Sequence, residues 1–399
     1  MAWWLIRCFG EILKGTMYMD EQRILIEILH ATINETENAN FIKEKITSEN
    51  LISIFKLAKK HDLAHVVSNF IYQNKIDVDK EFQTILQREE LLSVYRNEQM
   101  NYAFSEICSA FDEIGIEYIP LKGAVIRSFY PYESMRTSCD IDILIHNNDL
   151  GSAINSLKSK GYICKDRSYH DVSLYSPNKI HLELHFNLQE NIRNLDVVLK
   201  DAWKYSMPTN SNQCEFKKEF FVFHIFAHMA YHFVSGGCGI RSLLDIWVMK
   251  HKMGISYLCS KRLLEKAGIY QFASEMDKLA EQCFTNNNLD DFSVMLLKYI
   301  FDGGVYGSVE NHIAIDKHKA KNSIVYAFKR LFLPYNFMVI SYPFLKKAPY
   351  LLPFCWLIRC MKVIFTGKSK RILFEMSCVN NVSDEKIKEV KEICSRLAL

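Results

Sequence analysis

Two short runs in this chain alternate polar and apolar residues with a period of two, and that period commits them to β-strands. The first is Asp140-Ile141-Asp142-Ile143-Leu144-Ile145; the second is Lys179-Ile180-His181-Leu182-Glu183-Leu184-His185-Phe186. Successive side chains of a strand point to opposite faces. Asp140 and Asp142 therefore project side by side, while Ile141, Ile143 and Ile145 take the core face. In the second run Ile180, Leu182, Leu184 and Phe186 share one face, and His181, Glu183 and His185 share the other. If the two strands are neighbours, Glu183 joins the two aspartates. Like charges this close are unfavourable without a cation between them. Carboxylate oxygens suit a hard divalent ion such as Mg2+, and three carboxylates match the donor set of two-metal, in-line phosphoryl displacement. The competing reading of His181, Glu183 and His185 is the solvated face of an ordinary strand.

Upstream, the apolar run Tyr118-Ile119-Pro120-Leu121 stops at Lys122-Gly123, which is expected to open a helix. Backbone N–H groups at a helix start favour anions, and glycine lets a phosphate approach closely. Lys122 would add a point charge to a triphosphate; a plain turn would use the same two residues. Arg136, four residues before Asp140, has three readings: a phosphate contact, a partner for the carboxylates, or an exposed loop arginine.

The rest of the chain frames this stretch. Its 399 residues suffice for two or three domains. Hydrophobic content of 49% and charged content of 24% describe a folded protein. A net charge of +3 gives no support for a broad nucleic-acid-binding surface. The twelve cysteines include no CxxC pair, so they read as reduced thiols of a cytoplasmic protein rather than a zinc ribbon. The N-terminal MAWWLIRCFGEILKG is apolar but short, carries Arg7, Glu11 and Lys14, and lacks a small-residue cleavage site. It is not read as a signal peptide, and Met17 or Met19 is an alternative start.

Helical spacing dominates residues 20–114, including one long helix over about 80–111. Residues 116–188 read as mixed α/β, with strands at 116–121, 140–145, 162–167, 170–175 and 179–186 and helices at 122–130 and 148–160. Beyond residue 196 the pattern is again helical, with segments at 216–234, 240–249, 256–267, 270–284, 290–302 and 317–332. The expected organisation is a helical N-terminal region (1–115), a small mixed-sheet core (116–190), a helical pocket region (191–310) and an apolar helical C-terminal region (311–399): an α+β fold. Residues 331–365 are apolar and aromatic but interrupted by prolines, lysines and Arg359. They fall short of the roughly 20 apolar residues of a spanning helix. A buried helical hairpin and a membrane-surface or partner face are both compatible with them.

Two further constellations stand downstream. His224, His228 and His232 are four apart on one expected helix, a spacing that holds zinc in other proteins. No glutamate follows His224 to make HExxH, and a polar stripe facing the cleft, or packing against the tail helices, is the alternative. Arg241 and Asp245 are also four apart. They are either an intrahelical ion pair or the border of a nucleotide or acceptor pocket.

In combination, LKGAVI…YP…R…DIDILI…HLELHF resembles the nucleotidyltransferases of the DNA polymerase β-like superfamily. More narrowly it is similar to a bacterial family of uncharacterised nucleotidyltransferases sharing LKG…YP…R…DIDLLV…LHW. The matching residues are Leu121, Lys122, Gly123, Tyr130, Pro131, Arg136, Asp140, Asp142, Glu183, Leu184 and His185. Arg241 and Asp245 resemble a downstream Arg…Asp motif. The resemblance implies Mg2+ (or Mn2+) on Asp140, Asp142 and Glu183, an NTP held by Lys122, Gly123, Ala124 and Arg136, and a pocket bordered by His185, Arg241 and Asp245. Two departures stand out. Ala124 occupies a position that is usually Gly or Ser, so a serine contact to phosphate is absent, and the interval from the loop to Asp140 is longer than usual. The implied activity is transfer of NMP from an NTP to a hydroxyl on a protein, small molecule or RNA end, releasing pyrophosphate. The rival readings are a nucleotide-binding or regulatory module without catalysis and a membrane-surface accessory protein of polysaccharide synthesis.

Overall fold

The computed structural model describes residues 20–36, 39–190, 192–286, 288–305, 307–319, 332–335, 338–339, 342–365 and 382–399. The expectations for residues 1–19 and for most of the 317–332 helix lie outside that set; Val309–Lys319 is helical.

The long amphipathic pattern becomes one helix, α1 (Lys80–Glu113), capped by the Asp79 carboxylate accepting from Phe82 N–H at 2.8 Å. It stops at Gly115, whose φ of +69° a residue with a Cβ tolerates poorly. The chain then enters β1 (Tyr118–Pro120), followed by β2 (Asp140–Ile145), helix α2 (Leu150–Ser159), β3 (Ile163–Arg167), β4 (Asp171–Tyr175) and β5 (His181–His185). These make a five-stranded mixed sheet in the order β1-β2-β5-β4-β3. The β4–β5 hairpin turns at 176–179, where Lys179 N–H donates to Ser176 O at 2.9 Å.

The pairing of β2 with β5 is parallel, and it sets Asp142 opposite Glu183 and Asp140 opposite His181. One face of the sheet buries Ile141, Ile143, Ile145, Leu182 and Leu184 against α1 and α2, through residues such as Ile107, Phe111, Ala153 and Leu157. At roughly 25 cal/mol per Å2 of apolar surface, burial of such side chains stabilises the fold by about 1.5–3 kcal/mol each. The opposite face turns towards α3 (Lys218–Val234) and α4 (Arg241–His251). Ile119, Leu121 and Leu144 join the larger core on that side, which links the N-terminal helices to helices of the 195–300 region.

One expectation is corrected here. The stretch after residue 196 is not wholly helical, because Ser206–Pro208 and Cys214–Phe216 form an antiparallel hairpin. Its turn, Thr209-Asn210-Ser211-Asn212, is rich in turn formers and breaks the helix. Tyr118 N–H donates to Asn212 O at 3.1 Å, so this hairpin covers the free side of β1.

Candidate active site

Asp140, Asp142 and Glu183 project from adjacent strands into a cleft of about 410 Å3, floored by the sheet and walled by α3 and α4. That is within the range of small-ligand sites. Donor atoms of Asp142, Glu183 and His185 lie within 4.8 Å of one another, as do those of Asp140, His181 and Glu183. Glu183 is thus shared by two potential ligand groups. The donors are mainly carboxylate oxygens, as a hard divalent cation requires. His181, read from sequence only as a polar-face residue, belongs to one group because β2–β5 register sets it opposite Asp140.

The electrostatics of the three acids differ. Burial raises the Asp140 carboxyl, and the neighbouring Asp142 charge raises it further. Burial followed by the charges of Asp142 and Asp140 pushes the Glu183 carboxyl up to about 7. Burial would raise Asp142 too, but Lys122 and the hydrogen bond from His185 overcome it and hold Asp142 well below the ordinary range. Lys122 Nζ is 3.7 Å from Asp142 Oδ2, and His185 Nε2 is 3.0 Å from Asp142 Oδ1. One lysine faces three half-buried carboxyls, so a proton is retained where a divalent cation would fit.

Lys122 reaches Asp142 through an unusual backbone. Its φ of +39° and ψ of −101° lie in a region that costs of order 1–3 kcal/mol for a residue with a Cβ. The strained turn between β1 and Gly123–Ile126 aims its ammonium into the cleft, where it also donates to His228 Nε2 at 3.2 Å. His232 Nε2 lies 2.9 Å from the same His228 atom. Burial, then the Lys122 charge, keeps His228 far below the usual histidine range and lowers His232 to about 4. His228 and His232 therefore face the cleft as neutral rings. His224 is buried against Phe216, with ring centroids 5.9 Å apart. Among the described residues the three histidines form no metal-ligand group, which favours the polar-stripe reading for His228 and His232.

The remaining motif residues form a second cluster. Arg136 donates from Nε to Asp245 Oδ1 at 2.7 Å and from Nη2 to Asp245 Oδ2 at 2.8 Å, and Tyr130 Oη donates to Asp245 Oδ1 at 2.7 Å. All three residues are buried. A Cβ at position 123 would collide with Arg136 Nη1 and fall 3.1 Å from Ser138 Oγ. In this conformation Gly123 accommodates the guanidinium. Arg241 does not pair with Asp245 along α4; it donates to Asp62 Oδ2 at 2.9 Å and to Thr137 O at 2.8 Å. Arg136, Arg241, Asp245, Gly123 and Ala124 all line the cleft.

His170 and Glu190 also line it and escaped the sequence reading. His170 is stacked on His185 at 5.7 Å; its position just before β4 becomes informative only once β4 and β5 are paired.

Neither a curated protein nor a solved structure matches the chain. Residues 47–285, more than half of the chain, match the family described as uncharacterised nucleotidyltransferase, and the region holds both clusters. The small mixed sheet with flanking helices fits the core of such an enzyme, and the chain belongs to this family of uncharacterised nucleotidyltransferases.

Proposed function

We propose that the protein transfers NMP from an NTP to a hydroxyl acceptor, with Asp140, Asp142 and Glu183 as ligands of Mg2+ or Mn2+. The observation that carries this reading is the parallel β2–β5 register, which sets Asp142 against Glu183 with Asp140 two residues away on the same face. A bound divalent ion would neutralise phosphate charge and make the attacking hydroxyl more acidic. The acceptor oxygen forms a bond to the α-phosphorus, the bond from that phosphorus to the bridging oxygen of the β-phosphate breaks, and pyrophosphate leaves. Glu183, which faces the acceptor side of the cluster in this reading, is the candidate to take the acceptor's proton. Lys122 supplies the positive charge at the triphosphate end of the cleft, and Gly123, Ala124 and Arg136 form its wall. His185 orients Asp142, and neutral His228 holds Lys122 in place.

The test is incubation with each α-labelled NTP, Mg2+ and cell extract, comparing wild type with Asp140→Ala/Asp142→Ala. Wild type labels an acceptor and the double variant does not. If both give the same labelling, transfer by this site is refuted. A wild type that binds NTP without any transfer supports the binding-module reading instead.

A further inference from the structure

The C-terminal region carries a surface that the nucleotidyl-transfer reading does not use. Helix α5 (Leu352–Phe365) turns Cys355 inward, where it packs with Met338 and Leu345 in a small core of their own. Its outer side is apolar too. Phe354, Leu357, Ile358 and Met361 recur at i, i+3, i+4 and i+7, so they form one stripe along the helix. Phe354 and Leu357 are 65% and 61% exposed, and Tyr350, just before the helix, is 76% exposed. Water-facing side chains of this size in one contiguous stripe mark an interaction site rather than ordinary surface.

The charge around the stripe selects the occupant. Lys346 and Lys347, a few residues before the helix, are exposed, and Arg359 lies on the helix itself. From Lys317 to Phe374 the sequence holds twelve lysines and arginines and not one aspartate or glutamate. With a net charge of only +3 for the whole chain, the remainder is net negative. This asymmetry leaves no carboxylate within the segment to neutralise it, and puts the apolar, aromatic face in a strongly cationic part of the chain. An amphipathic helix of that composition lies in the headgroup layer of an anionic bilayer, with apolar side chains in the acyl boundary and lysines at the phosphates. Among the described residues no helix is long and apolar enough to cross a membrane. We infer that the α5 face docks the protein on the surface of a bilayer bearing anionic headgroups.

Flotation of the full chain with vesicles of equal parts phosphatidylcholine and phosphatidylglycerol tests this. The protein rises with these vesicles, remains largely at the bottom with phosphatidylcholine alone, and loses affinity as salt is raised. Leu357→Glu/Met361→Glu lowers binding more than tenfold, and Lys346→Gln/Lys347→Gln lowers it roughly tenfold on the anionic vesicles only. Phe354→Ser provides a second apolar variant, and circular dichroism verifies that each variant keeps its helix content. Failure of the wild type to float with anionic vesicles overturns the inference, as does flotation that all these variants leave unchanged. A dimer in sedimentation that Leu357→Glu/Met361→Glu dissociates, without vesicle binding, assigns the face to a second copy and overturns it equally. RNA binding in place of vesicle binding does the same. None of these outcomes depends on turnover of NTP.

Discussion

Two ionic clusters lie in one cleft, and their charge balance differs. In the Arg136–Asp245–Tyr130 cluster a single guanidinium meets a single carboxylate in two parallel hydrogen bonds of 2.7 and 2.8 Å, and a phenol adds a third. In the Asp140–Asp142–Glu183 cluster three carboxyls share Lys122, and Glu183 is pushed up to about 7 by burial and by the aspartates. The first is balanced and closed. The second is electrostatically incomplete, as sites that bind a cation are. Both draw on the LKG…YP…R…DID…E stretch, the first completed by Asp245 from α4. The motif thus divides into a part that holds α4 against the β1–β2 loop and a part to which the proposed chemistry is assigned.

The largest expected effect falls on the balanced cluster. Asp245→Asn leaves a buried guanidinium without its counter-charge and is expected to lower stability by about 3–5 kcal/mol, read as a shift of the urea midpoint. A loss below about 1 kcal/mol would mean that Arg136 is solvated or partnered otherwise, and the division of the motif would fail. Glu183→Gln works in the opposite sense. Its carboxyl is raised in the folded state, so the folded protein binds more protons than the unfolded one between about pH 4.5 and 7. Stability is lost as pH rises through that window. With a side chain 30% exposed, the penalty is discounted for screening to about 1–2 kcal/mol at pH 8, and the amide removes it. Transfer activity should fall by about 10²–10³-fold while the urea midpoint at pH 8 rises. A variant that loses stability and activity together erases the contrast between the clusters.

Gly123→Ala sharpens the boundary between them. The added methyl meets Arg136 Nη1 and Ser138 Oγ, so it should cost about 1–3 kcal/mol in nucleotide-free protein. If glycine serves only the approach of phosphate, the stability is unchanged and only the KM for NTP rises. Thermal unfolding without nucleotide separates the two.

How much of this was legible in the sequence depends on the range of the interaction. The strand faces followed from period-two alternation, and so did the meeting of Glu183 with the aspartates once the strands were taken as neighbours. Residues 140–145 and 181–185 are strands as expected. The Arg136–Asp245 pair was hidden because the two residues are far apart in the chain and neither sits in a pattern that points to the other. Arg241 and Asp245 offered a nearer pairing, and tertiary packing overrode it in favour of Asp62 and Arg136. The histidines of α3 were ambiguous for another reason. That helix is apolar around most of its circumference, with Phe220, Phe223, Phe226 and Phe233 all buried, so periodicity alone does not say which face meets the cleft. The positive φ of Lys122 left no trace in the sequence, since lysine has no preference for such a conformation.

The smallest effect tests whether the incomplete cluster is completed by a cation. Glu183 must release its proton before its oxygens serve as ligands, and that carboxyl stands at about 7. Divalent-ion affinity should therefore weaken by about tenfold between pH 8 and pH 6, one proton being displaced per ion bound in the acidic part of the range. Titration calorimetry with Mn2+ in buffers of different ionisation enthalpy reads both the affinity and the proton release. In Glu183→Gln the residual affinity is weaker and loses that slope, because no carboxyl near 7 remains to be discharged. The balanced cluster predicts the converse: between pH 8 and pH 6, Arg136→Met/Asp245→Leu, which replaces both charges together, leaves the pH slope of Mn2+ binding in place. A slope that vanishes in that double variant instead would show that the two clusters titrate as one, and that the line drawn through the motif is in the wrong place.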